Sequence, residues 1–378
     1  MTRVRTAVFD HIAEVPAAAW DALGAGHSLV YSRRFWEILE HSGINDFRYR
    51  YILFSDAADQ PIGIAGFYSI TTDLAIFAPP ALRKLLTQLR RLFPNFLKFS
   101  ILECGTPVTP SSDPFVLAPD APGAAVCKAL DEVLQDIARR DGQLLIVMRD
   151  FEGAAWTHQA DLETLGYHWL ESMPNTYVEV TWPTTEAYIA AMRSHYRRKL
   201  LRYLAQGREQ QFRYEIRDDF ADLAETLHRQ WQVVHEQADE YQREVLTPAF
   251  YRELSQRLAG KVKVMLFYRQ DALVGHILLM LDGDLMRFMF FGRQQAAHDG
   301  LWIYGGYALI ETAIRLGIPR IEFGFTTYDL KQELGATISP VRMALRTARR
   351  ILNPFVGPVF HLLNRPPEVA VRHVFRKP

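Results

Sequence analysis

The sequence is poor in cysteine, has no surplus of charge of either sign and holds no long apolar run. Each shortage removes a class of protein. Two cysteines among 378 residues, Cys104 and Cys127, cannot build a disulfide framework, and neither sits in a CxxC or Cys/His spacing. A reducing compartment is expected, and no metal. His228 and His235 are seven apart but have no HExxH or carboxylate companion. The 43 basic residues balance 43 acidic ones, so the overall positive field of a nucleic-acid binder is missing. No stretch reaches the ~18 uninterrupted apolar residues of a spanning helix. Met1 to Val15 carries Asp10 and Glu14 without the apolar core of a signal peptide. The expectation is a cytoplasmic protein, either free or resting on the inner face of a membrane.

What is present is globular. The chain is 49% hydrophobic and 23% charged, and it is long enough for two domains with cores of their own. The order of elements is clearest in the second half. Thr247-Pro248 opens a helix, with threonine as N-cap and proline in the first turn, and Gly260 closes it. Lys261–Tyr268 and Leu273–Leu281 read as paired strands, Asp282-Gly283-Asp284 as a tight hairpin, and Leu285–Phe291 as a third strand. A glycine-bounded loop (292–300), a helix ending at Gly317 and a strand at Ile318–Phe323 follow.

The first half repeats this order. Strands are expected at Tyr51–Phe54 and Pro61–Ile70. A helical stripe runs through Val126, Leu130, Val133, Leu134 and Ile137, and a buried strand lies at Leu144–Met148. "DQPIGI" at Asp59–Ile64 matches "DALVGH" at Asp271–His276, and "ALDEVLQDIARRDGQLLIV" matches "ALIETAIRLGIPRIEF". The chain therefore reads as a diverged tandem repeat, with about 33 extra residues between the anchors of the first half.

Hairpin, third strand, loop, helix and a closing strand beside the third make up an order that resembles the GNAT acyltransferases. Two such halves in tandem resemble their FemAB-like branch. The resemblance covers about Ser28 to Ala336 and is carried by "LTPAFYREL", "GRQQAAHDGLWIYGGYALIETA" and "EFGFTTYDLKQELGA". It implies an α/β (α+β) fold of two tandem GNAT-like domains, with mixed, largely antiparallel sheets flanked by helices. The expected divisions are 1–182 with an amphipathic insertion near 75–110, 183–345 with the donor site, and a basic amphipathic tail at 346–378. The usual loop before the central helix is Gln/Arg-x-x-Gly-x-Gly/Ala. This chain departs from it, having Gly300 alone, with Gly305 and Gly306 one turn on.

Amide formation from a thioester needs an anion site for the donor, a neutral amine and an acid for the thiolate. A loop leading into a helix N-terminus offers free N–H groups and a favourable dipole. This makes Arg293, Gly300, Gly305 and Gly306 the donor-site candidates, with Lys331 beside them by resemblance; the two later glycines serve equally well to pack helix on sheet. The resemblance places Tyr328 where a tyrosine protonates the departing thiolate. As bases, Glu322 in "RIEFG" and Glu103 in "ILECG" stand out, because a carboxylate in an apolar strand is costly unless paired. His276 is a further candidate. Cys104 lacks a base partner in sequence, and the direct ternary mechanism that the resemblance implies does not require it.

Two segments are basic and amphipathic. In 81–93, Leu82, Leu85, Leu86, Leu89, Leu92 and Phe93 share one helical face, and no acid occurs from Ala75 to Ser100. In 342–363, Arg342, Arg346, Arg349 and Arg350 accompany Leu345, Ile351, Leu352, Phe355, Val356 and Phe360. Such segments pack inward as ordinary surface helices, lie in a membrane interface or dock an acidic acyl carrier protein. A third cluster, Arg193, Arg197, Arg198, Lys199 and Arg202, suits a phosphate-bearing ligand. The expected activity is transfer of an acyl group from acyl-CoA or acyl-carrier protein to a lipid-like amine such as a sphingoid base. The alternatives are FemAB-like aminoacyl transfer from aminoacyl-tRNA to a peptidoglycan precursor, the one route that brings in nucleic acid, and a non-catalytic membrane or partner-binding module.

Overall fold

The computed structural model describes residues 4–24, 26–73, 88–89, 93, 98–108, 112–237, 244–297, 299–363, 367 and 369–376. Most of the insertion expected near 75–110, including the 81–93 segment apart from Gln88, Leu89 and Phe93, lies outside these residues. The first sheet holds β1 (Arg5–Phe9), β2 (Arg48–Ser55), β3 (Pro61–Asp73), β4 (Lys98–Cys104), β5 (Phe115–Leu117), β6 (Leu145–Glu152) and β7 (His168–Glu171). The second holds β8 (Asn175–Glu179), β9 (Phe212–Arg217), β10 (Val262–Arg269), β11 (Ala272–Asp282), β12 (Leu285–Arg293), β13 (Arg320–Glu322) and β14 (Thr337–Ser339). The helices are α1 (Ala17–Gly24), α2 (Arg33–His41), α3 (Gly123–Arg140), α4 (Gln159–Thr164), α5 (Thr185–Ala191), α6 (Ser194–Glu209), α7 (Ala224–Glu236), α8 (Pro248–Arg257), α9 (Leu301–Leu316), α10 (Tyr328–Glu333) and α11 (Asn353–Leu363).

The two sheets share one plan. In each, three antiparallel strands (β2-β3-β4 and β10-β11-β12) are followed by a long helix (α3 and α9). A strand then pairs parallel to the third, β6 with β4 and β13 with β12. Local chemistry explains the joints. Gly283, at φ 62°, makes the hairpin that "DGD" announces, and Thr247 Oγ1 caps α8 by accepting the Phe250 N–H at 3.2 Å. The α9 helix starts after Gly300 and stops at Gly317, both left-handed.

Sequence order does not partition the sheets as the 182/183 and 345/346 divisions would have it. Strand β8 leaves the first half and pairs with β13 and β14 of the second sheet. Conversely, β15 (Val341–Thr347) returns to the first sheet and sits between β6 and β7. The tail is likewise two pieces. The α11 helix packs on β15 and β7, while the chain near Val374 and Phe375 bonds back to Ala191 and Arg193 of the second half.

Candidate active site

The last ladder pair between the parallel strands β12 and β13 is Arg287 with Glu322. Beyond it β12 runs on to Arg293, while the other chain bends at Gly324 (φ 73°) and passes through Thr326 and Thr327 at φ 62° and 52°. Two successive β-branched residues in the left-handed region are strained, as residues at functional turns often are. On the other edge of β12 a bulge leaves Met289 as the extra residue between Leu279↔Phe288 and Leu278↔Phe290.

A buried polar network starts at that last pair. Arg287 bonds Glu322 through one terminal nitrogen, donates from Nε to Asp282 at 2.8 Å and reaches Ser28 Oγ at 3.2 Å. Asp282 also accepts the Leu29 N–H at 2.8 Å, so it clasps the first half. Burial opposes the Arg287 charge, yet Glu322 and Asp282 more than offset it and hold the guanidinium above its ordinary range. From Glu322 the network runs through Asn175 Nδ2 (2.8 Å) to Tyr177, whose hydroxyl donates to Glu152 at 2.8 Å.

Glu152 ends β6, where a bulge at Arg149 and Asp150, with Asp150 at φ 63°, re-aims both side chains. Arg149 pairs with Asp150 at 3.0 Å, donates to Tyr68 Oη at 3.1 Å and lies 4.0 Å from Glu103. Burial raises the Asp150 carboxyl above its ordinary range and pushes Asp113, beside Glu152 and Asp150, up to about 6. Among the described residues, six carboxyl groups (Glu103, Asp113, Asp150, Glu152, Asp282 and Glu322) thus gather with two guanidiniums, Arg149 and Arg287, at the junction of the halves.

The network gathers Glu322 and Glu103, which are distant in sequence. Tyr328 stands at its margin, its hydroxyl donating at 3.0 Å to the carbonyl of Pro174, next to Asn175. His276 lies elsewhere. It is fully buried, with Nδ1 2.8 Å from Gln230 Oε1 and Nε2 3.2 Å from Tyr251 Oη, and burial drives it down to about 3. Gly292 makes room for its ring, since a Cβ there would fall 2.2 Å from Cε1. With both nitrogens engaged it is a neutral core residue and not a base, which corrects the sequence expectation.

The donor-site candidates separate in the same way. Gly305 and Gly306 are packing residues. A Cβ at Gly305 would meet Ile277 at 3.0 Å and Phe267 at 3.1 Å, and one at Gly306 would meet Leu334 at 2.4 Å. Gly300 does open the helix, but the anion there is internal. Asp299 accepts the Leu301 N–H at 3.2 Å and pairs with Arg293 at 2.8 Å and Arg269 at 2.6 Å. Among the described residues the buried Nε of each arginine has no hydrogen-bond partner, so this corner has donors beyond those Asp299 satisfies. Lys331 is buried and turned towards the backbone. Its ammonium bonds the carbonyls of Gly324 (2.9 Å) and Phe325, clamping the strained turn, and burial lowers it to about 7.

The sequence reading missed Arg287, Asp282, Asn175, Tyr177, Glu152, Arg149, Asp150 and Asp113. "LMRFMFF" and "VMRDFE" do show charges in apolar strands, the same signal that marks Glu322 and Glu103. A metal was not expected, yet Cys127, His158 and Asp161 bring one ligand atom each to within 4.8 Å of one another. Gly123 leaves room for the His158 ring, since a Cβ there would lie 3.1 Å from it. Thiolate, imidazole and carboxylate together suit a zinc-like ion. As the protein stands, burial raises the Cys127 thiol to about 12.

With this geometry in place, residues 190–332 match the family model described as "Acetyltransferase (GNAT) domain". The match to the acetyltransferase domain lies in the second half, and the chain as a whole has the FemAB-like tandem GNAT fold. It is similar in fold to FemX, with a TM-score of 0.56 and 12% identity over 94% of this chain and 99% of that one. It is also similar to a tandem GNAT protein from the clavulanic acid biosynthesis pathway, with a TM-score of 0.53 and 10% identity over 92% and 99%. In sequence it is 30% identical over 324 residues to a Mycobacterium tuberculosis (strain ATCC 25618 / H37Rv) protein provisionally named 8-amino-7-oxononanoate synthase 2. That match takes in 82% of this chain and 41% of the relative. The chain thus spans about two fifths of the curated relative's length. Among the described residues no helix is long and apolar enough to cross a membrane.

Proposed function

We propose that the chain transfers an acyl group from a thioester, acyl-CoA or acyl-carrier protein, to the primary amine of a lipid-like substrate such as a sphingoid base. The observation that carries this reading is the gathering of carboxyl groups among the described residues of the buried network, a surrounding that favours a cationic amine. The network begins where β12 and β13 cease to pair, beside the strained turn. Asp113, whose carboxyl is raised to about 6, takes a proton from the ammonium more readily than an ordinary carboxylate would. The freed nitrogen attacks the thioester carbonyl, the C–N bond forms as the C–S bond breaks, and the second proton that the nitrogen sheds in becoming an amide balances the one that the departing thiolate takes up. Tyr328, beside Pro174, is the donor of that proton by resemblance. The spare nitrogens of Arg293 and Arg269 at the start of α9 favour a donor with phosphates.

Release of free thiol from short- and long-chain acyl-CoA, with and without a long-chain amine, tests this. Amine-dependent release that rises through pH 6 is expected. Asp113→Asn should lose about 10²-fold and the pH 6 limb with it. Release that ignores the amine, or an Asp113→Asn profile like that of the wild type, would count against the reading. The exposed Arg198 and Arg202 on α6 favour a second reading, FemAB-like transfer from aminoacyl-tRNA. Activity that requires charged tRNA and ignores acyl-CoA would select it.

A further inference from the structure

We propose that the outer face of α11, with the turn leading into it, docks on an anionic lipid bilayer. The helix is held firmly from within. Val356 is buried and Phe360 packs beneath it, Asn353 Nδ2 donates to the Gly166 carbonyl at 2.7 Å, and Asn353 Oδ1 accepts the Thr347 N–H at 3.0 Å. Gly357 lies against the His168 ring, where a Cβ would come within 2.7 Å. The opposite side is apolar as well. Ile351 is 86% exposed, Phe355 65%, Val359 48% and Leu362 70%. Their spacing of four, four and three residues sets them in one outward stripe.

A helix anchored on one apolar face and bare on the other points to a partner surface. Charge selects which partner. Arg349 and Arg350 stand exposed at the start of the stripe, and no acidic residue occurs from Pro340 to Leu363. At eleven residues, about 16 Å, α11 is far too short to cross a hydrocarbon core of about 30 Å. It fits lying in the headgroup boundary with arginines at lipid phosphates. Four large aliphatic and aromatic side chains, uninterrupted by a polar one, suit a bilayer better than an acidic carrier protein, which arginines alone would read. The proposal does not depend on which amine is acylated.

Co-sedimentation with phosphatidylglycerol–phosphatidylcholine vesicles, in the absence of donor and amine, tests it separately from turnover. The wild-type chain should partition onto these vesicles and much less onto phosphatidylcholine alone. Phe355→Asp and Leu362→Asp should each weaken binding about tenfold. Arg349→Glu/Arg350→Glu should abolish the preference for anionic lipid and its salt sensitivity. All these positions face solvent, so thermal unfolding should stay at the wild-type temperature and show that the variants are folded. No binding to anionic vesicles, or binding by Phe355→Asp and Leu362→Asp equal to the wild type, overturns the proposal. So does a lipid-free dimer that Phe355→Asp dissociates, or an acidic acyl carrier protein that competes for Arg349 and Arg350 while vesicles do not.

Discussion

Replacing Arg287 with methionine should cost about 3–5 kcal/mol of stability, because it strips the cation from two buried carboxylates at once. Arg287 joins Glu322, Asp282 and Ser28, and its bond to Ser28, with that from the Leu29 N–H to Asp282, ties the second half to the first. Denaturant unfolding at neutral pH reads the effect as a fall in midpoint. The double variant Arg287→Met/Glu322→Leu separates two roles. Removing both charges leaves no orphan at β13, so much of the lost stability should return. Activity should not return with it, because Glu322 lies where the network meets the diverging strands and, in the proposed reaction, helps receive the amine. Recovery of both together would make the network a structural clasp alone. Equal instability of the single and double variants would move the source of the loss to Asp282.

The network also shows what sequence can and cannot carry. Elements set by local chemistry were legible. The Thr247-Pro248 helix start, the Asp282-Gly283-Asp284 hairpin, the Gly317 helix stop and the order shared by the halves all reappear within a residue or two, because caps and turns act over neighbouring residues. The exchange of β8 and β15 between sheets was not legible, since a strand's own pattern does not say which distant edge it joins. Glu322 and Glu103 stood out as carboxylates in apolar strands. Their partners did not, because pairs such as Arg287–Glu322 and Asn175–Glu322 are 35 and 147 residues apart. His276 was misread for the same reason, as its satisfying groups, Tyr251 and Gln230, are 25 and 46 residues away. Asp299 was passed over because a capping carboxylate and a bound phosphate ask for the same helix start.

Lys331 should make the chain more stable as pH rises from about 7 towards 10, and Lys331→Met should abolish that trend. The folded state holds this ammonium near 7 by burial, below the ordinary value of 10.5 of an exposed lysine. Between these values the unfolded chain carries a proton that the folded chain lacks, so stability climbs with pH across the window and is flat below it. At 1.36 kcal/mol per unit, the full span is worth up to about 4–5 kcal/mol. Tyrosines and the two cysteines also titrate near its upper end, but they are common to both proteins and cancel in the difference. The measurement is the unfolding free energy of wild type and variant at several pH values from 6 to 10. A constant difference would mean that the ammonium is not desolvated in solution, and that the turn it bonds, Gly324–Phe325, opens to water. If the turn is held as the structure shows, the variant should also lose activity at every pH. The neutral amine still donates to Gly324 and Phe325 above 7, whereas a methionine donates to neither, and Thr326 and Thr327 are then free to leave the strained conformation beside the proposed amine site.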